Sequence, residues 1–479
     1  MPSTINSSKT RLTLKAAVVA ASCLLGMGAQ ALPTVVSSAN DSGPNTLRDA
    51  LESGANDIVI TAKGPIMITE PLIYSGERPL WIRGNGQAIQ AVMDFTLLEV
   101  ASGVNLIVEN LAFEGPGGFD IENQSSVDAP GKGIFVDVAK AREGWVSVSL
   151  TDVQVRDVAN HGIHISDCDL ADACGGGGDG SGGGSPASIL LRLNNVQVDN
   201  VGHGKFDADG VRVDERGEGH IVLHASQSSF TRVGADGVEL DEAQGGSAQA
   251  YIDNSVFNDN GAYCNPALLE PQLATFLGDF EAEGEFDESE QVTDAQIPGP
   301  PTGTLDDRCF EYAADYYDGG FVEAYEIAID VDDGFDIDES DDGLLKAVLR
   351  NTQVHNNFDE GVDFDEAGRG NVNVSFIGSA ANGNVDDGFK VSEADGAGIE
   401  ALVFEVEARD NGGKGIVLEE ADNGSVNARV IATQTRNNDD SDDTGLEVVQ
   451  EDQGSGQLRV EDSTLEDGMD VEGVEVTEG

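Results

Sequence analysis

The chain has 479 residues, 88 of them acidic and 26 basic, for a formal net charge of −62. A field of that sign repels nucleic acid and anionic lipid and draws in divalent cations, so the first two are excluded as expected partners. High-salt adaptation would explain acidity alone, but here the acids cluster.

The N-terminus reads as a targeting segment. Lys9, Arg11 and Lys15 precede the apolar run Ala16 to Met27, and Ala29-Gln30-Ala31 fits a small-residue cleavage site. The run is short and broken by Ser22, so residues 1–31 read as a secretory signal peptide rather than a span. Cys23 offers a lipoprotein alternative, for which Ala20-Ala21-Ser22 is a poor lead-in. No other apolar run approaches the ~20 residues that cross a bilayer, and no transmembrane segment is expected. Cleavage removes three cations and no anions, which takes the charge to about −65. The mature protein is expected to be exported, to the periplasm, the medium or the cell surface. Four cysteines remain, Cys168, Cys174, Cys264 and Cys309. An even number in an exported chain implies disulfides, and proximity favours Cys168–Cys174 and Cys264–Cys309 among three pairings.

Residues 32–61 contain Asp41-Ser42-Gly43-Pro44 followed by Thr46 to Leu51, which suits a turn and a short helix, and then the strand Asp57 to Thr61. The phrase Asp-Ser-Gly-Pro with Leu47-Arg48 after it resembles the N-terminal cap of exported right-handed parallel β-helix proteins. Pro79 to Gly86 and Val104 to Phe113 resemble early rungs of the same superfamily, the pectate-lyase-like β-helices. Alternating short strands between Gly turns support this independently.

The body, residues 62–479, is an array. The octet Asp332-Asp333-Gly334-Phe335-Asp336-Ile337-Asp338-Glu339 returns from Asp359 and again from Asp386, with glycines 334, 361 and 388 spaced by 27. Setting each such glycine to zero, the register extends to 210, 237, 415, 445 and 473. Positions one and three are always apolar, as in Val211 and Val213 or Phe335 and Ile337, with mostly charged residues between them. That period of two predicts one wall of a solenoid, apolar inward and polar outward. Asparagines cluster before the octet (Asn356-Asn357, Asn384, Asn411, Asn437-Asn438), and this predicts a stacked turn ladder. At 27 residues per coil and ~4.8 Å per rung, about thirteen coils make a rod of about 60 Å. The fold expected is all-β, a single right-handed parallel β-helix.

Two interruptions break the register. Residues 168–185 form a Gly-rich surface loop without the Lys-Ser or Lys-Thr of a phosphate loop. Residues 262–329 form a long insertion, read as irregular, which carries Tyr263, Tyr312, Tyr316, Tyr317 and Tyr325. Insertions on repeat scaffolds are often the recognition surface; a self-packed cover is the bland alternative.

Stacked coils put equivalent acids above one another. Asp209, Asp236, Asp333, Glu360 and Asp387 stand one before the glycine. Asp214, Asp241, Asp338 and Asp365 stand four after it, and Glu215, Glu242, Glu339, Glu366, Glu393 and Glu420 five after it. Neighbouring charges ~4.8 Å apart repel by about 0.9 kcal/mol even in water. Bound cations reverse that sign, and an all-oxygen donor set suits Ca²⁺. The expected ligands are Asp209, Asp214, Asp236, Asp241, Asp333, Asp338, Glu339, Asp365, Glu366 and Asp387. The alternative is a solvated acidic face with the Glu column bonded to turn backbone.

The resemblance to pectate-lyase-like enzymes implies a second reading, a Ca²⁺-dependent polysaccharide lyase or a glycoside hydrolase on this wall. Arg212, two after its glycine and surrounded by Asp209, Asp214, Asp236 and Asp241, is the candidate base, with an ion-pair role as the alternative. The family's motifs around the base are absent. The histidines, His161, His164 and His203 near one turn and His220 and His224 beside a strand, suit isolated structural roles. The reading that leads is a non-catalytic exported Ca²⁺-binding solenoid that recognises a glycan or a protein through the insertion; a purely structural salt-adapted surface protein is the third.

Overall fold

The computed structural model describes residues 32–119, 130–170, 174, 182–266, 281–299, 307–317, 319–329, 331–394, 396–438, 444–451 and 454–479. The chain divides into Met1–Pro33 and Thr34–Gly479. Of the first unit only Leu32 and Pro33 are described, so the expected signal peptide lies outside the described residues. Much of the Gly-rich loop does so too.

The second unit is a single right-handed parallel β-helix. One coil shows the plan. Phe335–Asp341 forms the wall, Leu344–Arg350 a second side and Gln353–His355 a short third side. Each strand pairs in parallel with its equivalent 27 residues on, as Phe335 with Val362, Leu345 with Val372 and Gln353 with Ala380. The wall sheet has twelve strands. They are β1 (Leu72–Tyr74), β2 (Leu98–Val100), β3 (Ile134–Asp137), β4 (Ile163–Ser166), β5 (Val211–Glu215), β6 (Val238–Gln244), β7 (Phe335–Asp341), β8 (Val362–Gly368), β9 (Lys390–Ala394), β10 (Ile416–Glu420), β11 (Leu446–Gln450) and β12 (Met469–Glu472). The other two sides merge into one 23-stranded sheet.

The apolar positions of the wall fill the core as the alternation predicts, except at its last step: β12 follows Gly468, and Val474 and Val476, which the glycine register at 473 put on the wall, pair with Gly456 and Leu458 on the second side. Val211, Val213, Phe335, Ile337, Val362 and Phe364 are fully buried. Aromatic rings stack from rung to rung, with Phe257 5.0 Å from Phe230 and 5.2 Å from Phe335. The zero glycines are there for close approach. A Cβ on Gly334 would lie 2.5 Å from the Gly361 carbonyl oxygen and 2.5 Å from Asn357 Nδ2.

Two left-handed corners turn each coil, and this explains the asparagine clusters. Asn351 and Asn356 have φ of 49° and 57°, conformations that Asn adopts more readily than most residues. Asn357 does a different job. Its Nδ2 donates to Asn384 Oδ1 at 3.0 Å, and Asn384 repeats this to Asn411 at 3.0 Å. Asn411 donates on to Asn438 at 2.8 Å, and Asn438 to Asp467 at 2.7 Å. All four asparagines are buried, so this ladder replaces water for the turn amides.

The cap phrase also has a physical role. Thr46 caps the helix Leu47–Glu52. Arg48 reaches back to Asp41 at 2.6 Å and forward to the Glu70 and Pro71 carbonyls at 2.8 and 2.6 Å, just before β1. The helix is thereby tied to the first rung.

The insertion leaves the coil and rejoins it at one point, where the Asp332 amide donates to the Gly261 carbonyl at 3.3 Å. It is more regular than its sequence suggests. Glu281–Glu285, Phe310–Tyr316 and Val322–Ile329 form a three-stranded antiparallel sheet. Cys264–Cys309 closes its base beside Tyr263, Phe206 and Ile329, and Cys168–Cys174 ties together the first residues of the Gly-rich loop. Both are the pairings favoured by proximity.

Candidate metal centre on the parallel wall

Strand register turns the acid columns into a surface. Two residues after each glycine, His164, Arg212, Glu239, Asp336, Asp363 and Lys390 stand in line. Four after it, Ser166, Asp214, Asp241, Asp338, Asp365 and Ser392 do the same. A solvated face was the alternative to cation-bound columns at the outward positions. On β5 and β6 they are buried instead: Arg212 and Glu239 are 4 % exposed, and Asp214 and Asp241 are 0 % exposed. Long side chains one rung apart pack and pair with one another, which removes their surface from water.

Arg212 is the centre of the basic end. Its Nε donates to Asp214 at 2.7 Å, Nη1 to Glu239, to Asp207 at 3.2 Å and to Asp209 at 3.4 Å, and Nη2 to Asp241 at 3.3 Å. Arg216 also donates to Asp241. On the other side Asp214 meets His164 Nε2 at 2.7 Å, and His164 Nδ1 meets Lys132 Nζ at 2.6 Å. Burial and Lys132 together push the His164 imidazole down to about 3, so it is neutral. Burial alone would lower Arg212, but Glu239, Asp214, Asp207 and Asp209 outweigh it and hold the guanidinium firmly protonated. Burial alone would raise Asp214; Arg212 and His164 reverse this and hold it well below the usual carboxylate range. One guanidinium cannot do that for five acids, and burial pushes Asp209, Glu239 and Asp241 up. Arg212 thus stands in the ion-pair arrangement, with Asp209, Asp214 and Asp241 around it.

Farther along the wall the cations thin out, although Glu239 is still paired with Arg212. Carboxylate oxygens of Glu239, Asp336 and Asp338 lie within 4.8 Å of one another, as do those of Asp333, Glu360 and Asp363, and of Asp359, Glu360 and Asp386. Lys390 serves the second group, at 3.0 Å from Glu360 and 2.7 Å from Asp363. Among the described residues neither Asp336 nor Asp338 has an ion pair, though the charges of Arg212, Arg216 and Lys390 pull Asp338 down. Burial and Asp338 push Asp336 well up, and burial and Asp365 push Asp338 up to about 7. Asp333, only 9 % exposed, has one carboxylate oxygen without a hydrogen-bond partner. These are hard oxygen donors at a spacing one divalent cation spans, and they fit Ca²⁺.

The three columns are not equivalent. The column before the glycine also serves the backbone: Asp209 accepts from the Asp236 amide at 3.2 Å, Asp236 from the Asp333 amide at 2.6 Å, and Asp387 from the Lys414 amide. The Glu column turns away from the wall strands' outward side. Glu366 accepts from the Gly370 amide at 2.9 Å, Glu393 from Ala397 at 2.9 Å and Glu420 from Gly424 at 2.6 Å. Glu339 and Glu366 are therefore apart from the Asp338–Asp365 column, buried at the turn. Of the expected ligands, Asp333 and Asp338 enter the close acid groups beyond β5, while Asp365 accepts from Ser392.

Sequence reasoning left Glu239, Asp336, Glu360 and Asp363 out of the ligand set, although the register two after the glycine and one before it would have found them. Lys132 sits at the same repeat position as Asp209. Asp207 and Arg216 carry no repeat signal. Elsewhere, a groove of about 560 Å³ on the insertion sheet is lined by Glu283, Glu285, Asp315, Tyr325 and Glu326, and Tyr312 and Tyr316 are 49 % exposed.

No family model matches the sequence, and no curated protein matches it. Among solved structures, the chain is similar to the full-length tailspike protein 2 of an Escherichia coli O157:H7 bacteriophage, with TM-score 0.39 and 11% identity over 88% of this chain and 42% of that one. It spans 47% of that tailspike's enzymatically active domain. The catalytic unit of a GH87 alpha-1,3-glucanase from Streptomyces thermodiastaticus gives TM-score 0.41 and 9% identity over 93% of this chain and 70% of that one. A pectate lyase gives 0.34 and 11% over 93% and 78%. No residue role is transferred at such scores. On its own strand register, with three parallel sides per coil and an asparagine ladder at the turn, the chain has the parallel β-helix fold of the pectate-lyase-like proteins that its sequence resembles.

Proposed function

We propose that this is an exported glycan-binding β-helix whose wall holds divalent cations, Ca²⁺ first among them. The observation that carries the reading is the Glu239–Asp336–Asp338 group, three carboxylates within 4.8 Å. Asp336 and Asp338 lie between the Arg212 cluster and Lys390 and have no ion pair of their own among the described residues, while Glu239 is paired with Arg212 and the charges of Arg212, Arg216 and Lys390 reach Asp338. Arg212 relieves the repulsion only at Glu239 and in part at Asp338; protons or a metal relieve the rest, and millimolar Ca²⁺ favours the metal. Glu239, Asp336 and Asp338 would hold such a cation, which would supply a positive centre for sugar hydroxyls or carboxylates. The half-exposed Tyr312 and Tyr316 on the insertion supply ring faces for stacking on sugars.

The test is glycan capture. Wild type should bind an immobilised glycan panel in Ca²⁺ and lose at least part of that binding in chelator. Asp336→Asn with Asp338→Asn should behave in Ca²⁺ as wild type does in chelator. Binding indifferent to both chelator and variant would remove the cation from the account.

A second reading, glycan cleavage on the same wall, is favoured by Asp338. A carboxyl held at about 7 beside other acids is a competent proton donor near neutrality. Ultraviolet absorbance from an unsaturated product marks a lyase, and new reducing ends mark a hydrolase. Loss of that signal in Asp338→Asn, with the fold intact, supports this reading; silence from wild type across the panel ends it.

A further inference from the structure

One side of the solenoid departs from the chain's acidic character. It is the ladder of long strands Asn371–Ile377, Gly398–Phe404, Ser425–Ile431 and Gly456–Glu461. A trough of about 610 Å³ runs across these four rungs. Register places Asn373, Glu400, Asn427 and Gln457 along one edge. Arg429 and Arg459 stand one above the other on the second edge. Lys346 continues the first edge by one rung.

Two features of this strip are not explained by the fold. Two guanidiniums on adjacent rungs repel, and a β-strand position facing outward is served as well by Thr or Val. Arg459 has Glu461 as an ion-pair partner. Arg429 has neither an ion pair nor a side-chain hydrogen bond among the described residues, in a chain with 88 acids and 26 bases. Along the facing edge Asn427 Nδ2 donates to the Glu400 carboxylate at 3.1 Å.

We infer that this trough is a second binding face, separate from the wall, for a linear anionic polysaccharide. The guanidiniums take a carboxylate or sulfate group in their planar fork, and the amide edge exchanges hydrogen bonds with sugar hydroxyls. Four rungs at ~4.8 Å give the trough a length of about 14 Å, enough for a few sugar units lying along the axis. The wall's acids act weakly here, because the Debye length of about 8 Å at physiological salt is shorter than the body of the solenoid. Nucleic acid is disfavoured by chemistry, since no aromatic ring lines the trough to stack on a base.

The test is affinity electrophoresis of the full chain in chelator, which separates this face from any cation on the wall. Polygalacturonate and dextran sulfate are the two probes, with uncharged dextran as control. The expected result is retardation by at least one polyanion and not by dextran, and the one that retards more identifies carboxylate or sulfate as the recognised group. Arg429→Ala with Arg459→Ala should weaken this about tenfold, because a charged hydrogen bond is lost, while the unfolding midpoint stays unchanged. Glu400→Gln should tighten it. The proposal is overturned if neither polyanion retards the protein, if the double variant binds as wild type does, or if a single-stranded oligonucleotide binds more tightly than both glycans.

Discussion

Asp338 and Asp365 stand in register on neighbouring wall strands, and neither has an ion pair among the described residues. Burial, and then the second carboxylate, push Asp338 up to about 7. Every further rung repeats a version of this conflict, and the chain resolves it differently in different places. At β5 it supplies Arg212 and Arg216, and at β9 it supplies Lys390. Between them it leaves acids to be neutralised from outside.

Arg212 should be indispensable to the fold. Arg212→Ala leaves Asp214, Glu239 and Asp241 buried around an empty centre, a loss of about 4 kcal/mol by analogy with broken buried ion pairs. Chemical denaturation should show the midpoint falling steeply, with partial recovery in Arg212→Lys, whose single ammonium replaces the charge and not the fork.

The asparagine ladder gives a cleaner case, because no charge is involved. Asn384 accepts from the Asn357 amide and side chain at 3.1 and 3.0 Å and donates to Asn411 at 3.0 Å. Asn384→Ala strands those groups in a buried turn and should cost about 2 kcal/mol. Asn384→Asp should cost at least as much at neutral pH, since a carboxylate has no proton to give Asn411. Thermal unfolding of the two variants checks the order.

The Glu column makes stability depend on pH. Glu242 is pushed up to about 11 by burial and by Glu339 and Glu215, and Glu215 to about 8 by burial and Asp167. As carboxylates, the two oxygens of Glu242 have no donor; as acids, the stacked carboxyls bond one another. Folded pKa values above the unfolded value of about 4.3 mean that the folded state keeps protons the unfolded chain gives up. Their contribution to stability is therefore complete below that value and is lost as pH rises above it, through about 8 for Glu215 and about 11 for Glu242. Melting without added metal should show a midpoint that falls across this window. Glu242→Gln should flatten the fall, and the chain itself makes this substitution at the last position of the column, where Gln450 donates to Glu420.

Removing the insertion should leave the solenoid standing. Asn260 is followed by Gly261, and Gly334 is preceded by Asp332 and Asp333, while the uninterrupted coil has Phe358, Asp359 and Glu360 between Asn357 and Gly361. Deleting residues 262–331 restores that count, and β6 already pairs directly with β7. Circular dichroism should retain its β signal, with loss of glycan capture if the tyrosines contribute to it. An unfolded product would assign the insertion the role of a cover.

How much was legible in the sequence follows from what repeats. Gly334, Phe335 and Ile337 recur at a fixed period, so the wall, its inward face and its strand register were readable without coordinates. Repetition also placed Asp338 over Asp241. Asp338 and Glu339 recur equally well, and the period of two, continued to positions four and five, already separates an outward column from an inward one; the hydrogen bonds show that the inward column meets turn amides. Lys132 and Arg216 reach the Arg212 cluster through single positions of single coils, and a signal that occurs once is not visible as a pattern. The insertion's sheet was hidden for the same reason, since Glu281–Glu285 and Val322–Ile329 pair across a long separation with no periodic cue.

The central claim is that the wall binds divalent cations, and thermal unfolding in Ca²⁺ against chelator tests it most directly. A site-bound cation stabilises the folded chain by mass action, by about 2.7 kcal/mol at one hundred times the dissociation constant. The account predicts a midpoint that rises with millimolar Ca²⁺ at neutral pH in moderate salt, and a smaller rise in Asp336→Asn with Asp338→Asn. A midpoint identical in Ca²⁺ and in chelator would contradict it.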